Sequence, residues 1–419
     1  MRCFVGRLTV AVLLMTGLAG TTFSQQAVTW QQVRDRFLSA NPSLRAAQIG
    51  ADESRAAEIT AHLRPNPSLS LTVDQINPFN GGPPHSAAGS LLTVAAISYL
   101  HERQNKRDLR HESAEKATGI VIAEQADLER TLIFTLRMAF VQALQEKAIL
   151  DLARENLAYY DHILEVNRER YQAGAIALVD LDRLELQRVQ YESDLQIAEE
   201  SLETAKILLL ALLDDRTPVG QFDVTGPFDF SREMTPLDQV RQEALAARPD
   251  LRGALLSVDK AATDHRLAIA NGSSDPTIGF DMGRNPPIDQ YIGISVNIPL
   301  RIFDRNQGEK KRTELEIERS KKVVEAARAQ VFADVDSAYA SVASVVTLLQ
   351  PYKDRYLQQA SRVRDTIAFS YQHGAASLLD FLNAQADYRS VQVNYLNLIA
   401  SYLDAANQLN LAVGRELIQ

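Results

Sequence analysis

The fold of this chain is decided by two ten-residue stretches, YQAGAIALVD at residues 171–180 and YQHGAASLLD at residues 371–380. Tyr, Gln, Gly, Ala, Leu and Asp recur at the same six places in both. A long glycine-poor segment leads into each stretch, and a leucine-rich segment follows it. Because glycine removes the steric cost of a chain reversal, each stretch is predicted to be the turn of a helical hairpin.

The two turns belong to a duplication that covers nearly the whole chain. Residues 33–45 run from Val-Arg to Asn-Pro-Ser-Leu-Arg, and residues 240–252 run from Val-Arg to Arg-Pro-Asp-Leu-Arg. Such an internal repeat indicates two copies of one structural unit, each with a helix, two strands, a very long helix, the glycine turn and a second long helix. The predicted divisions are a first repeat at 25–213, a linker at 214–233, a second repeat at 234–414 and a tail at 415–419.

Residues 1–24 are predicted to be a signal peptide, because Arg2 and Arg7 precede an apolar run that gives way to small residues. A signal anchor is the alternative, although the run is short for a membrane span. The only cysteine, Cys3, precedes that run, so the exported chain would have no disulfide bond. No other stretch approaches the roughly 20 apolar residues of a transmembrane helix. A net charge of -9 argues against a nucleic-acid partner.

Short segments of alternating polar and apolar residues predict four strands with one apolar face each. Strands of about ten residues suit a tilted membrane β-barrel, yet four strands cannot close one and open edges are not tolerated in lipid. Several chains would have to pool their strands, and three chains would give about twelve, an allowed even number. A soluble coiled-coil rod with a small β cap is the alternative. The predicted strands lie at about residues 67–75, 90–99, 276–283 and 291–300.

The helices that follow the turns carry a sustained coiled-coil pattern. Apolar residues repeat with 3-4 spacing from Leu181 to Leu212, with Arg188 as the one polar exception, and from Phe381 to Ala412 without exception. Pro351 lies inside the second very long helix and is expected to kink it. The predicted fold class is therefore mainly α with a small β part.

Several motifs, taken in order, resemble the TolC family of outer-membrane efflux proteins. They are the turn motif, Pro-Asn-Pro at 65–67 before the first strand, and Ile-Pro-Leu at 298–300 followed by Asp-Arg-Asn-Gln-Gly at 304–308. The last run and His-Glu-Arg-Gln-Asn-Lys-Arg at 101–107 are most similar to the CzcC/CusC-like branch, which serves resistance-nodulation-division (RND) pumps. The resemblance covers residues 28–414.

The resemblance implies a homotrimer in which a twelve-stranded barrel, surrounded by outer-membrane lipid, stands on a periplasmic α-helical barrel. It also implies a passive exit duct, fed by an inner-membrane RND pump through a periplasmic membrane-fusion adaptor. The outer channel of type I protein secretion, which shares the fold, and a periplasmic coiled-coil scaffold or adaptor are the alternatives.

The resemblance further implies that the turns form the inner tip, where the duct closes and the adaptor binds. Asp380 matches the first acidic gate position of the family, whereas the second falls on Asn383, which departs from a doubly acidic gate. The alternative for Asp180 and Asp380 is a carboxylate that stabilises a helix N-terminus through the helix dipole, and Arg183 could pair with Asp180. The candidate gate residues are Asp180, Arg183, Asp380 and Asn383. The candidate adaptor contacts are Tyr171, Gln172, Gly174, Ala175, Tyr371, Gln372, Gly374 and Ala375.

No enzyme motif is complete in the sequence. His-Glu pairs at 101–102 and 111–112 lack the second histidine that a zinc-protease helix places four residues on. The seven histidines are scattered and no cysteine pair exists, so no metal site is predicted by spacing. We therefore expect no catalytic, cofactor or metal site.

Overall fold

The computed structural model describes residues 27–74, 91–285 and 288–418. The predicted signal peptide, the first residues of the first repeat and of the second strand, and the last residue of the tail lie outside these ranges. The elements in chain order are α1 (Trp30–Ala40), α2 (Pro42–His62), β1 (Ser68–Asp74), β2 (Leu92–Leu100), α3 (Lys106–Gln172), α4 (Leu178–Leu212), α5 (Leu237–Ala247), α6 (Pro249–Asn271), β3 (Thr277–Asn285), β4 (Ile288–Asn297), α7 (Gln307–Pro351), α8 (Leu357–Gln372) and α9 (Leu378–Val413).

The helices form two four-helix layers, stacked end to end. In the layer next to the strands, α2, α3, α6 and α7 lie side by side in that order. In the layer that ends at the turns, the order is α4, α3, α9 and α8. Helix α3 has 67 residues, or about 100 Å, and so runs through both layers. The short helices α1 and α5 pack on α3 and on α7 and α9 where the layers meet, at a level we call the equator.

The four strands form one antiparallel sheet in the order β1-β2-β3-β4. The register aligns Leu69, Ile97, Phe280 and Ile294 in one row across the sheet, and all four are about half exposed or more. The next row, on the other face, is Ser68, Ser98, Gly279 and Ser295. The sheet thus has one apolar and one polar face, as the alternation predicted. Among the described residues, β1 and β4 each keep one edge without a partner strand.

The predicted coiled-coil seams are the buried faces of α4 and α9. Leu184, Tyr191 and Leu209 are buried on α4, and Phe381 and Tyr402 are buried on α9. The polar exception in the first seam is also explained, since the Arg188 guanidinium donates to the Asp161 carboxylate on α3 at 2.5 Å. The two hairpins therefore follow the sequence pattern closely.

Both very long helices start next to an asparagine with a left-handed backbone. The first begins at Lys106, because Gln104 and Asn105 have φ of 60° and 53° and break the helix there. The second begins directly after Asn306, whose φ is 61°. Asparagine is one of the few residues that tolerates this left-handed region, so each repeat uses an asparagine to turn from strand into helix.

The fourth strand ends at Asn297, three residues before the predicted end at 300. Pro299 has no N–H to donate to a sheet, which limits the strand on that side.

Pro351 marks an irregularity in the second very long helix, at the position where a kink was predicted. A single π-helical turn, Tyr352–Tyr356, follows it and separates α7 from α8. The stretch Gln307–Gln372 also contains an 18-residue window with a mean hydropathy of 1.3, of which 28% is buried. By length and composition this window would suit a membrane span, so the expectation that no such stretch exists beyond the leader is wrong. Helix α7 packs against α5, α6 and α9.

Candidate functional site at the hairpin tips

Both turns close with the same hydrogen bonds. Gly174 has φ 74° and donates its N–H to the Tyr171 carbonyl at 2.9 Å; Gly374 has φ 75° and donates to the Tyr371 carbonyl at 3.1 Å. The next residue, Ala175 or Ala375, donates to the carbonyl five positions back at 2.8 Å. This pair of bonds is the Schellman motif, which places glycine at the left-handed position after a helix. A Cβ added at either glycine would meet no atom within 4 Å. Glycine is therefore required here by the positive φ and not by a lack of space.

The starts of the two returning helices differ. At α9, the Ser377 hydroxyl accepts from the Asp380 N–H at 3.1 Å, and the Asp380 carboxylate accepts from the Ser377 N–H at 3.2 Å. The hydrogen bonds from the Ser377 hydroxyl and amide hold the pKa of Asp380 below its usual value. At α4, Ala177 occupies the capping place and no side chain caps the helix. Asp380 therefore takes part in a cap, whereas Asp180 lies in the first turn of α4 without one, where a carboxylate is still favoured by the helix dipole.

The two tyrosines of the motif lie in different surroundings. Tyr371 is buried, its hydroxyl lies 3.3 Å from the Asn167 side-chain oxygen, and its ring stacks on Phe381 at 5.0 Å. Burial raises the pKa of the Tyr371 phenol. Tyr171 is 38% exposed. Since Asn167 is on α3 and Tyr371 is on α8, the Tyr371 contact joins the two hairpins of one protomer at the tip.

Most of the remaining predicted tip residues face solvent in the protomer, and Asp180 is half-buried. Arg183 and Asn383 are exposed on α4 and α9, and no ion pair joins Arg183 to Asp180 in the described part of the chain. Four of the eight candidate adaptor contacts, Gln172, Gln372, Ala175 and Ala375, are exposed as well. The protomer thus presents both turns as one open surface.

Sequence reasoning missed a set of polar contacts above the tip that joins the hairpins. The Arg364 guanidinium lies 4.0 Å from the Tyr388 ring centroid and 5.0 Å from that of Tyr159, and the Arg389 guanidinium pairs with Asp194 at 3.0 Å. Gln385 donates to the Tyr159 hydroxyl at 3.5 Å. Gln385 and Arg389 are four residues apart, so they share one face of α9, and that spacing beside an apolar seam could have identified them.

A sequence model described as outer membrane efflux protein matches the chain twice, over residues 33–213 and 240–415. The cobalt-zinc-cadmium resistance protein CzcC of Cupriavidus metallidurans is 23% identical, covering 90% of this chain and 87% of its own. The pyoverdine export outer membrane protein OpmQ of Pseudomonas aeruginosa is 25% identical, covering 79% of this chain and 71% of its own. Outer membrane protein TolC of Vibrio cholerae is 21% identical, covering 89% of this chain and 88% of its own.

Solved structures of such channels share the fold. The CusC structure has a TM-score of 0.75 at 18% identity and covers 92% of both chains. VceC of Vibrio cholerae has a TM-score of 0.72 at 17% identity, covering 93% of this chain and 97% of its own. The resemblance to the TolC family, with relatives of the CzcC and CusC kind, is confirmed, and the alternatives of a soluble rod or a periplasmic adaptor no longer apply. The chain belongs to the family of outer membrane efflux proteins.

Proposed function

We propose that three copies of this chain form a passive duct across the outer membrane, through which cargo delivered by an inner-membrane pump leaves the cell. The observation that carries this proposal is the incomplete sheet at the far end of the helices from both turns, with one apolar face, one polar face and two edges that no other described strand pairs with. Membership of the efflux family supplies the outer-membrane location and the transport class.

The sheet has the topology that pooling requires. With four antiparallel strands in chain order, β1 and β4 run in opposite directions. The β4 edge of one copy can therefore pair antiparallel with the β1 edge of the next, and closure removes the edges that lipid does not tolerate. Three copies give about twelve strands, and the rows that contain Leu69 and Ser68 become the lipid-facing and lumen-facing surfaces.

The helical layer can close in the same way. Its two edge helices near the tip, α4 and α8, carry exposed apolar side chains, including Leu186 at 72%, Val189 at 58% and Phe369 at 62%. Exposed apolar residues along the edge of a long helix indicate a partner surface. Packing α4 of one copy on α8 of the next would cover these residues and give a helical tube continuous with the barrel.

The tip is the proposed meeting point with a periplasmic adaptor, and the same place is the proposed gate. The six turns of a trimer would present their exposed glutamines and alanines to the adaptor, with Asp180, Arg183, Asp380 and Asn383 at the narrowing ring. The similarity to CzcC and CusC supports an RND pump as the energy source. We also propose that the chain is divided into the two repeats, the linker and the tail predicted from the sequence.

The experiment is a fractionation combined with an efflux assay in a strain that lacks the channel gene. We expect the protein in the outer-membrane fraction as a heat-modifiable trimer, and we expect its loss to sensitise cells to the cargo of the cognate pump. A soluble periplasmic species would overturn the proposal. Restored secretion of a protein substrate, without any change in susceptibility, would favour the type I secretion channel instead.

A further inference from the structure

A groove runs along the face of α3 that points away from α1. Leu136 and Phe140 lie on the side of α3 that packs against α1. Met138 and Gln142 lie on the opposite side of α3 and line a cavity of about 530 Å³. A second cavity of about 490 Å³ follows along the same face, past Ile149. Helices α4 and α9 form the two walls of both cavities. We call the two cavities together the inner groove.

Two carboxylates, those of Asp404 and Glu146, line the inner groove. Asp404, on α9, has one carboxylate oxygen that is buried without a hydrogen-bond partner in the described part of the chain. Glu146, on α3, lines the second cavity. Burial alone raises the pKa of Asp404 to about 6 and raises the pKa of Glu146. Placing an unpartnered carboxylate in such a position costs folding free energy, which makes a binding role the better explanation.

The charge balance of the groove is negative. The other charged residues that line it are Asp194 and Arg389, which pair with each other at 3.0 Å. No charged side chain of α3 or α4 lines the cavity that holds Asp404, where those helices contribute Thr135, Gln142 and Leu208 among others. When Asp404 and Glu146 are both ionised, the groove therefore has an excess of two negative charges.

The rest of the lining is largely apolar, with Met138, Ile149, Ile197 and Leu208 along the floor and walls. An apolar cleft with a few placed carboxylates suits a ligand that has an apolar body and a positive charge. Neither a simple metal ion, which prefers several oxygen ligands together, nor an anion matches this lining.

We infer that the inner groove binds amphipathic organic cations. The inference deepens the proposed function, because the side of α3 opposite α1 becomes the lumen wall only when three copies close a tube. In that tube the groove would hold cationic cargo at and below the equator, and would release it when the carboxylates are protonated.

The test is fluorescence polarisation of rhodamine 6G, a cationic dye, with the purified full-length trimer in detergent. We expect Asp404→Asn to weaken binding about tenfold at pH 7.5, as loss of a charge-assisted contact does, and Glu146→Gln to weaken it also. Wild-type binding should fall as the pH is lowered through about 6. Both variants should fold, since each keeps the side-chain size and removes an unpartnered charge. Asp387→Asn, an exposed residue of α9 outside the groove, is the matched control and should bind as wild type.

Equal binding of rhodamine 6G by wild type and Asp404→Asn would overturn the inference, as would equal binding of the anionic dye fluorescein. The outcome is separate from that of the proposed function. An outer-membrane trimer that exports cargo but ignores the dye refutes the groove alone, whereas a dye-binding protein that is soluble and monomeric refutes the duct.

Discussion

At the residue scale, identical residues in the two copies of the turn motif lie in different surroundings. Tyr371 is buried against Phe381 and Asn167, while Tyr171 is exposed. The reason lies in neighbours outside the motif: at the same spacing, the first copy has Leu181 where the second has Phe381. A leucine offers no ring to stack on. The asymmetry of the tip is thus set by the residues around the motif.

Tyr371→Phe is expected to loosen the tip. It removes a hydroxyl that lies against the Asn167 side chain in a buried position, which costs about 1 kcal/mol. Hydrogen exchange of the amides in the tip-proximal turns of α3 and α8 should rise accordingly. Tyr171→Phe is the matched control at the equivalent position and should leave exchange unchanged, because Tyr171 is exposed. Equal behaviour of the two variants would contradict the described asymmetry.

Gly374→Ala is expected to destabilise the second turn by about 1–2 kcal/mol, because alanine at a φ of 75° suffers the left-handed steric penalty. The trimer should still assemble, and the cells should become leaky to a bulky antibiotic that the outer membrane normally excludes. Gly308→Ala, in the first turn of α7, adds a Cβ that meets no atom within 4 Å and should not cause leakage. If cells with either variant exclude the antibiotic equally well, the turn is not part of the gate.

At the element scale, the start of α9 depends on the Ser377–Asp380 capping box. Since the folded-state pKa of Asp380 is held below its ordinary 3.8, the ionised carboxylate contributes stability above that value and loses it as the pH falls further. Hydrogen exchange in the first turn of α9, corrected for intrinsic rates, should therefore increase below about pH 4. Asp380→Asn should remove this dependence, and α4, which lacks the box, serves as the internal control.

The elements themselves were largely predictable. Period-two alternation located the strands, least clearly for β2, and 3-4 spacing located the buried faces of α4 and α9. Both patterns follow directly from which side chains are buried away from water. The start of α3 was not predicted, since it depends on φ values at Gln104 and Asn105 rather than on hydrophobicity. The Arg364 and Arg389 contacts were missed for a related reason. They join residues on different hairpins, and the hydrophobic pattern of one helix does not show which residues of another helix it contacts.

At the scale of the whole molecule, an incomplete sheet and two open helical edges support the proposal that several copies of this chain complete one another. Four amphipathic strands in one chain predict pooling from the amino-acid sequence alone, because lipid does not tolerate a free edge. The side of each helix that would face the proposed lumen could not be predicted from the sequence. It follows from where α1 and the linker pack, which leaves the opposite side of α3 for the inner groove.

The central claim is that the sheets of several copies form a barrel in lipid. It is tested most directly by placing an arginine, in separate variants, at two neighbouring positions on opposite faces of β1. Leu71 is 75% exposed on the apolar face, and Ser70 is on the polar face. An arginine facing lipid costs about 2–4 kcal/mol near the bilayer centre, whereas a lumen position tolerates it. The measurement is the amount of heat-modifiable trimer in the outer-membrane fraction. We predict that Leu71→Arg lowers it strongly and that Ser70→Arg leaves it near wild type; equal amounts for the two variants would contradict the account.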